Sequence, residues 1–258
     1  MLMALDVGNT KCSVGIYSND KWVADWRFTT HLDYLADEYY ILLKALLNNE
    51  DLAWKDISGI VIGNVVPSLT LTFEELSWRI LGHSPVQVGP NIKTGIKILV
   101  DNPSEVGADR IANTAAVQKL YGGPAIVADL GTATTFDVIS KNGEYVGGAI
   151  APGLGISADA LVSQTAKLPK VELSIPDKAL GKNTIDAMQS GLVIGYLGLF
   201  KELISRLSTE ISGQSQVIAT GGMAEIVSKW TNVIDIVSPR LTLEGLRIIH
   251  ELNDLKKN

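Results

Sequence analysis

Two related α/β domains, meeting near residue 120 without a long linker, are the fold that this sequence predicts. Three observations carry that prediction. A short phrase is written twice, as Leu5-Asp6-Val7-Gly8-Asn9-Thr10 after an apolar run and as Asp129-Leu130-Gly131-Thr132-Ala133-Thr134 after another. Each copy opens a meander of three β-like runs. Each meander then gives way to alternating helical and extended segments, and the pattern restarts after Gly122-Gly123-Pro124.

In the first half, 2–6, 12–17 and 22–28 read as strands, with Ser18-Asn19-Asp20-Lys21 turning the second into the third. Leu35, Tyr39, Leu42, Leu43, Leu46 and Leu47 then fall on one helical face, with Asp33 the expected N-cap. A strand over 57–62 follows, Val65-Val66-Pro67 stops it, and a helix runs through Leu81. Short strands are expected at 86–88 and 96–100, and a helix carrying Ile111, Ala115 and Leu120 ends the first half. The second half repeats the meander at 125–129, 134–139 and 145–150. Helices are expected at 156–165, from 184 or 185 to 208, at 223–230 and at 241–252, with strands at 217–219 and 233–237. The domains are thus 1–120 and 121–258, with the C-terminal helix free to pack back on the first.

The totals bound the function. The 258 residues suffice for two cores, and 46% hydrophobic with 19% charged residues describes a globular chain. A net charge of −6, with no basic run longer than Lys256-Lys257, argues against a nucleic-acid partner. Asp6 interrupts the first apolar run, no stretch reaches membrane-spanning length, and the single Cys12 suits a reducing compartment, so a cytoplasmic protein is expected.

Each motif has a chemical reading beside a plain one. A carboxylate at a strand end suits a metal–phosphate complex, and a glycine turn offers N–H groups to phosphate oxygens; alone such a turn is an ordinary hairpin, but its recurrence points to two phosphate-gripping loops facing a cleft. Gly107-Ala108-Asp109-Arg110 heads a helix, where Asp109 either caps the end or stands as a proton acceptor beside a guanidinium. Strand alternation puts Thr135 and Asp137 on one face, toward the cleft or toward solvent. Thr220-Gly221-Gly222 is either a tight turn or a place where a flat ring meets backbone. Gly191, Gly195 and Gly198 share a helix face, for packing on the sheet or against another subunit. Gly153-Leu154-Gly155-Ile156-Ser157-Ala158 is no dinucleotide fingerprint: Ala151-Pro152 precedes it where a strand should run straight in, and no acidic residue closes a second strand at the expected distance. Gly181-Lys182 is no Walker A loop, since Pro176 stands where its first glycine should be. His31, His83 and His250 lack ligand-spaced partners, which argues against zinc.

In order along the chain, Asp6-Val7-Gly8-Asn9-Thr10, Asn102 to Arg110, Asp129 to Ala133, Gly147 to Gly153 and Thr220-Gly221-Gly222 resemble the type III pantothenate kinases. That family belongs to the acetate kinase, sugar kinase, Hsp70 and actin superfamily, and the likeness runs from Leu2 to about Leu246. It implies duplicated ribonuclease H-like (actin-like ATPase) domains with a nucleotide cleft between them. It also implies phosphorylation of pantothenate by ATP, the first step toward coenzyme A. By the resemblance, the loop Asp6, Val7, Gly8, Asn9, Thr10, Lys11, Cys12 and Ser13 binds ATP, with Asp6 placing magnesium. Thr132 falls on the second phosphate loop, and Asp129 on the position that holds a monovalent cation, potassium or ammonium. Gly107, Ala108, Asp109 and Arg110 match the pantothenate segment, with Asp109 as general base, and Thr184 matches a substrate contact near a homodimer interface. The chain departs from the family twice: Val100 stands where the family often has an aromatic residue lining the pantothenate site, and Gly63-Asn64 stand where it tends to have serines. Another small hydroxy acid or sugar as acceptor, or a non-catalytic accessory factor in transcription, are the competing readings.

Overall fold

The computed structural model describes residues 1–89 and 91–254, in two compact units. One is Met1–Tyr121 with the chain from Arg240 onward, and the other is Gly122–Pro239.

In the first unit, β1 (Leu2–Val7), β2 (Lys11–Ser18) and β3 (Lys21–Thr29) form the antiparallel meander. Helix α1 (Ala36–Asn49), β4 (Gly59–Asn64), α2 (Thr70–Leu81), β5 (Val86–Gln87) and α3 (Ala108–Leu120) follow. The sheet order is β3-β2-β1-β4-β5, so β1 has an antiparallel partner on one side and a parallel one on the other. The second unit holds β6 (Ala125–Leu130), β7 (Ala133–Ile139), β8 (Tyr145–Pro152), α4 (Leu154–Ser163), α5 (Thr184–Gln189) and α6 (Gly195–Glu210). It ends with β9 (Gln216–Thr220), the single turn α7 (Ala224–Val227) and β10 (Ile236–Val237). Its sheet, β10-β9-β6-β7-β8, has the same topology read from the other edge. The repeated phrase is therefore the centre of a repeated sheet.

Alternation along β1 explains the layers. Met3, Leu5 and Val7 enter a core with Tyr39, Leu43 and Leu47 of α1 and Phe73 and Leu76 of α2. Ala4 faces the other way, into a core with Ile111, Ala112 and Ala115 of α3 and Leu243, Leu246 and Ile249 of α8 (Leu241–Asn253). The last helix thus belongs to the first unit. It lies close to α3 because Gly245 has no side chain: a Cβ there would collide with the Ala112 carbonyl. Thr242 Oγ1 donates to Asn113 Oδ1 across this contact at 2.9 Å. Glu244 accepts from Trp22 Nε1 and from Arg247 Nε, which fastens α8 to the meander as well. In the second unit, Ile126, Ala128 and Leu130 share a core with Leu192, Val193 and Phe200.

Several local expectations are corrected. The 96–100 run is not a strand and has only an isolated bridge at Ile98; Ile96 and Ile98 pack against the α3–α8 core from a loop instead. Asp33 is not the N-cap of α1. Leu35 holds that position, and its N–H donates to Glu38 Oε2 at 2.8 Å, so the third helical residue does the capping. The long helix expected from 184 or 185 to 208 is present as unbroken helical backbone from Thr184 to Glu210, but its middle, Ser190–Ile194, is a π-turn. β8 runs to Pro152, so the Gly153 segment does follow a strand directly and α4 starts two residues early, behind Gly153; the last alternation shrinks to one turn and a two-residue strand.

Filling the α3–α8 crossing has a clear expected cost. Gly245→Ala lowers the unfolding free energy by about 3 kcal/mol in urea titrations, because neither backbone can retreat without opening a shared core. A loss below about 1 kcal/mol would show that the helices separate freely.

Candidate active site

Both copies of the phrase end a central strand in a carboxylate and turn at once. In the first, Val7 pairs with Cys12, leaving Gly8, Asn9, Thr10 and Lys11 as the turn, and Gly8 N donates to Lys11 O at 3.1 Å. In the second, Leu130 pairs with Thr134, so only Gly131, Thr132 and Ala133 intervene, and Gly131 N donates to Ala133 O at 3.0 Å. The second turn is one residue tighter. Asn9, Thr10, Lys11, Gly131 and Thr132 are exposed, as loops that receive a ligand must be.

The side chains around the first turn sort into two sets. Asp6 is half-buried at the end of β1, on the sheet face opposite Val7, next to Ser13 and Gly63 in register. Cys12, in contrast, has no exposed surface, so its thiol is out of a ligand's reach. Burial pushes its thiol up to about 11; the Thr30 contact offsets part of that rise and the Asp6 charge adds to it. It stands as a neutral S–H at physiological pH.

The helix head that carries Asp109 covers the same face as Asp6. Gly63 is the register partner of Asp6, and a Cβ built on Gly63 would lie 3.7 Å from the Ala108 Cβ and 3.0 Å from Leu246 Cδ2. Leu246 thus fills the space next to Gly63 that a side chain at position 63 would need. Asn64 closes the next turn, accepting from Val66 N at 2.8 Å and donating to Thr70 Oγ1 at 3.0 Å. Ahead of α3, Asn102 accepts from Ser104 N and Oγ and donates to Glu105 Oε1, which folds Pro103–Glu105 into a tight turn.

Asp109 does not cap α3. Gly107 is the N-cap and Asp109 the second helical residue, half-buried, with Oδ1 accepting from Arg110 N at 2.9 Å. The carboxylate folds back over Gly107, where any Cβ would collide with Oδ1. A glycine at 107 therefore lets the Asp109 carboxylate lie at the helix head, where the dipole favours its charge. Arg110 follows it, half-buried, and Val100 is half-buried in the loop before Asn102.

In the second unit, Asp129 pairs in register with Thr135 and Thr220. Gly221, at φ +89°, brings its bare Cα against the Asp129 carboxylate and the Leu130 backbone, and no side chain would fit there. Thr220-Gly221-Gly222 is therefore a close-approach turn that also holds Asp129 in place. Asp137 faces neither solvent nor an open surface: it is fully buried, and Tyr145 OH donates to its Oδ1 at 3.4 Å. Thr134, just past the turn, is hydrogen-bonded to Tyr196 OH of α6 at 2.7 Å. Thr184 is exposed at the first position of α5, behind Asn183, whose side chain caps the helix by accepting from Asp186 N. Gly191, Gly195 and Gly198 do not pack on the sheet, since a Cβ on any of them would meet nothing within 4 Å.

Sequence reasoning missed two participants, Thr30 and Tyr196, and gave Gly153, quoted only within longer motifs, no part in bracing a turn. Each lies far along the chain from the turn it supports, so no local pattern could mark it.

A family model described as type III pantothenate kinase matches residues 2–206. A type III pantothenate kinase of Moorella thermoacetica is 50% identical over 253 residues, covering 98% of this chain and 100% of that protein. One from Dehalococcoides mccartyi is 47% identical over 252 residues, covering 98% and 96%. Among solved structures, a conserved putative Baf family transcriptional activator from Campylobacter jejuni superposes with TM-score 0.63 at 20% identity, covering 97% of this chain and 98% of that one. The activator of 2-hydroxyisocaproyl-CoA dehydratase from Clostridium difficile, with bound ADPNP, gives 0.56 at 15% identity, covering 99% and 97%. Likeness at that identity speaks for the fold, an α/β fold of the actin-like ATPase and sugar kinase kind.

The state of Cys12 gives a pH dependence with a definite sign. Its folded value lies above the ordinary 9.0, so the stability it contributes is complete below pH 9 and is lost as pH rises toward 11. Relative to Cys12→Ala, the wild-type unfolding free energy falls by on the order of 2–3 kcal/mol over that window. Parallel pH profiles for the two proteins would show that the thiol is not held neutral by the fold.

Proposed function

The chain belongs to the type III pantothenate kinase family, and from that premise we propose the mechanism by which its residues phosphorylate pantothenate with ATP in coenzyme A biosynthesis. The γ-phosphoryl group passes in line to the primary hydroxyl of pantothenate, giving 4′-phosphopantothenate. The observation that carries this reading is the ordered segment Asn102–Arg110, which presents Asp109 at a helix head on the sheet face that bears Asp6.

Phosphoryl transfer has a loose transition state, so positioning and charge stabilisation supply most of the acceleration. The exposed turn at Asn9–Lys11 binds triphosphate through backbone N–H groups, with Gly8 and Val7 setting its entry and Cys12 and Ser13 its exit. Thr132 binds phosphate from the second turn. Asp109 takes the hydroxyl proton as the bond forms, and Arg110 pairs with the pantothenate carboxylate. Val100, Gly107 and Ala108 line the acceptor, and Thr184 makes a substrate contact near the homodimer interface.

Asp6 fits magnesium, because that ion is commonly held by one or two carboxylates together with substrate phosphates. Among the described residues no three His, Cys, Asp or Glu side chains gather into a metal cage, and the carboxylate we assign to the ion is that of Asp6. Asp129 fits a monovalent cation, potassium or ammonium: one carboxylate, held by Gly221 and flanked by the exposed Gly131–Thr132 backbone. When bound, these ions neutralise phosphate charge. The exposed Gly191, Gly195 and Gly198 face suits close approach of a second copy, and a homodimer is the assembly we assign, in the cytoplasm. Among the described residues no helix is long and apolar enough to cross a membrane.

Incubation with ATP, magnesium and potassium, with and without pantothenate, tests the reading by the appearance of 4′-phosphopantothenate. ATP turnover only with another hydroxy acid would shift the assignment to a different acceptor, for which Val100 leaves room. Asp109→Asn keeps ATP binding by calorimetry while kcat falls on the order of 10²–10⁴-fold; near-normal turnover would remove the general-base role. Asp129→Asn loses the activation that potassium gives over a large organic cation, and an unchanged potassium response would move the ion site elsewhere.

A further inference from the structure

The two units brace their turns at the same point with different means. In the second, Gly153 follows the partner of Ala133, and its N–H donates to Thr132 O at 3.2 Å. No side chain could stand there, since a Cβ would strike the carbonyls of Gly131 and Thr132. In the first, Thr30 follows the partner of Lys11, and its N–H donates in the same way to Thr10 O at 3.0 Å. Here the equivalent residue carries a hydroxyl, which donates to Gly8 O at 2.6 Å.

Thr30 is 9% exposed, and its one hydroxyl hydrogen is committed to Gly8 O. The buried Cys12 thiol, 3.4 Å away, therefore donates to the Thr30 oxygen, making a chain from S–H through O–H to the Gly8 carbonyl. The peptide unit is planar, so the edge opposite Gly8 O carries the Asn9 N–H. Fixing that carbonyl aims Asn9 N–H away from Thr30 and out of the turn. The bond to Thr10 O does the same for the unit that carries Lys11 N–H.

We propose that Thr30 is a positioning residue for ATP: its hydroxyl locks the Gly8–Asn9 peptide so that the turn presents Asn9 N–H to a phosphate oxygen before the nucleotide arrives. The proposal rests on the reading of Gly8–Ser13 as a phosphate loop. Thr30 itself touches no substrate. It acts through the orientation of a peptide that the longer first turn would otherwise leave free to rotate, a constraint the tighter second turn obtains from backbone packing alone.

Steady-state kinetics on Thr30→Val and Thr30→Ser test this, with melting temperatures recorded alongside. Val keeps the shape and loses the hydroxyl. It is expected to raise KM for ATP about tenfold, the scale of one buried hydrogen bond left unmade, with KM for pantothenate within twofold of wild type. Ser restores the hydroxyl and brings KM for ATP back to within about threefold of wild type. Should Thr30→Val not fold, Thr30→Ala against Thr30→Ser gives the same comparison. An unchanged KM for ATP, an equal rise for both substrates, or no rescue by Ser overturns the proposal. Asp6→Asn separates it from its premise. If that variant loses ATP use while Thr30→Val does not, the brace alone is wrong; if neither variant alters ATP use, the phosphate-loop reading falls with it.

Discussion

Everything at the candidate site depends on a central strand hydrogen-bonded along both edges. β1 lies between antiparallel β2 and parallel β4, and β6 lies in the same way between β7 and β9. Such a strand can neither slip nor twist independently, because a one-residue slip would turn Met3, Leu5 and Val7 out of the core. The carboxylate that ends it, and the turn that follows, are consequently fixed to the sheet before any ligand is present. Preorganisation of that kind is what a reaction driven by positioning requires.

Duplication gives two such strand ends, and the differences between them are as informative as the likeness. The first turn is a residue longer, exposes Asn9 to Lys11, and is tied down by a side chain from the end of β3. The second is tighter, is packed against Gly153, and has its carboxylate boxed in by Gly221. A longer, exposed turn suits a polyphosphate. A tight turn beside a clamped carboxylate suits a small ion. Two hairpins descended from one pattern can thus serve different ligands without any change of sheet topology.

The C-terminal helix ties the head of α3, with Asp109, to this frame. α8 packs on α3 at a crossing that only Gly245 permits, and Leu246 reaches the strand end beside Gly63. α3 is buried around much of its circumference, with even Asn113 and Thr114 inside, so its head is held rigidly where Asp109 begins. The price is a polar contact deep in the core, Thr242 to Asn113, which suits one register of the two helices better than its neighbours.

How much of this was legible in the sequence follows from the range of each interaction. The strand ends at Asp6 and Asp129, the meanders, the amphipathic α1 and the segment around Asp109 are local patterns, written within a few consecutive residues. Where a pattern had two structural solutions, the sequence could not choose. Ile96 and Ile98 alternate like a strand but serve as loop anchors, because the short edge strand β5 offers them no partner ladder. Asp109 has the composition of a cap and is not one, because Gly107 already occupies that position. The glycines of α5–α6 share a face by periodicity, yet only the packing of Leu192, Val193 and Phe200 toward the sheet shows that this face points outward. The sequence by itself determined the duplicated α/β plan and the placement of Asp6 and Asp129 at the ends of central strands, since strand and turn propensities act over neighbouring residues. Tertiary structure alone decided that Asp137 is buried, that α8 returns to the first unit and that Thr30 braces the first turn, because each depends on contacts between residues distant along the chain.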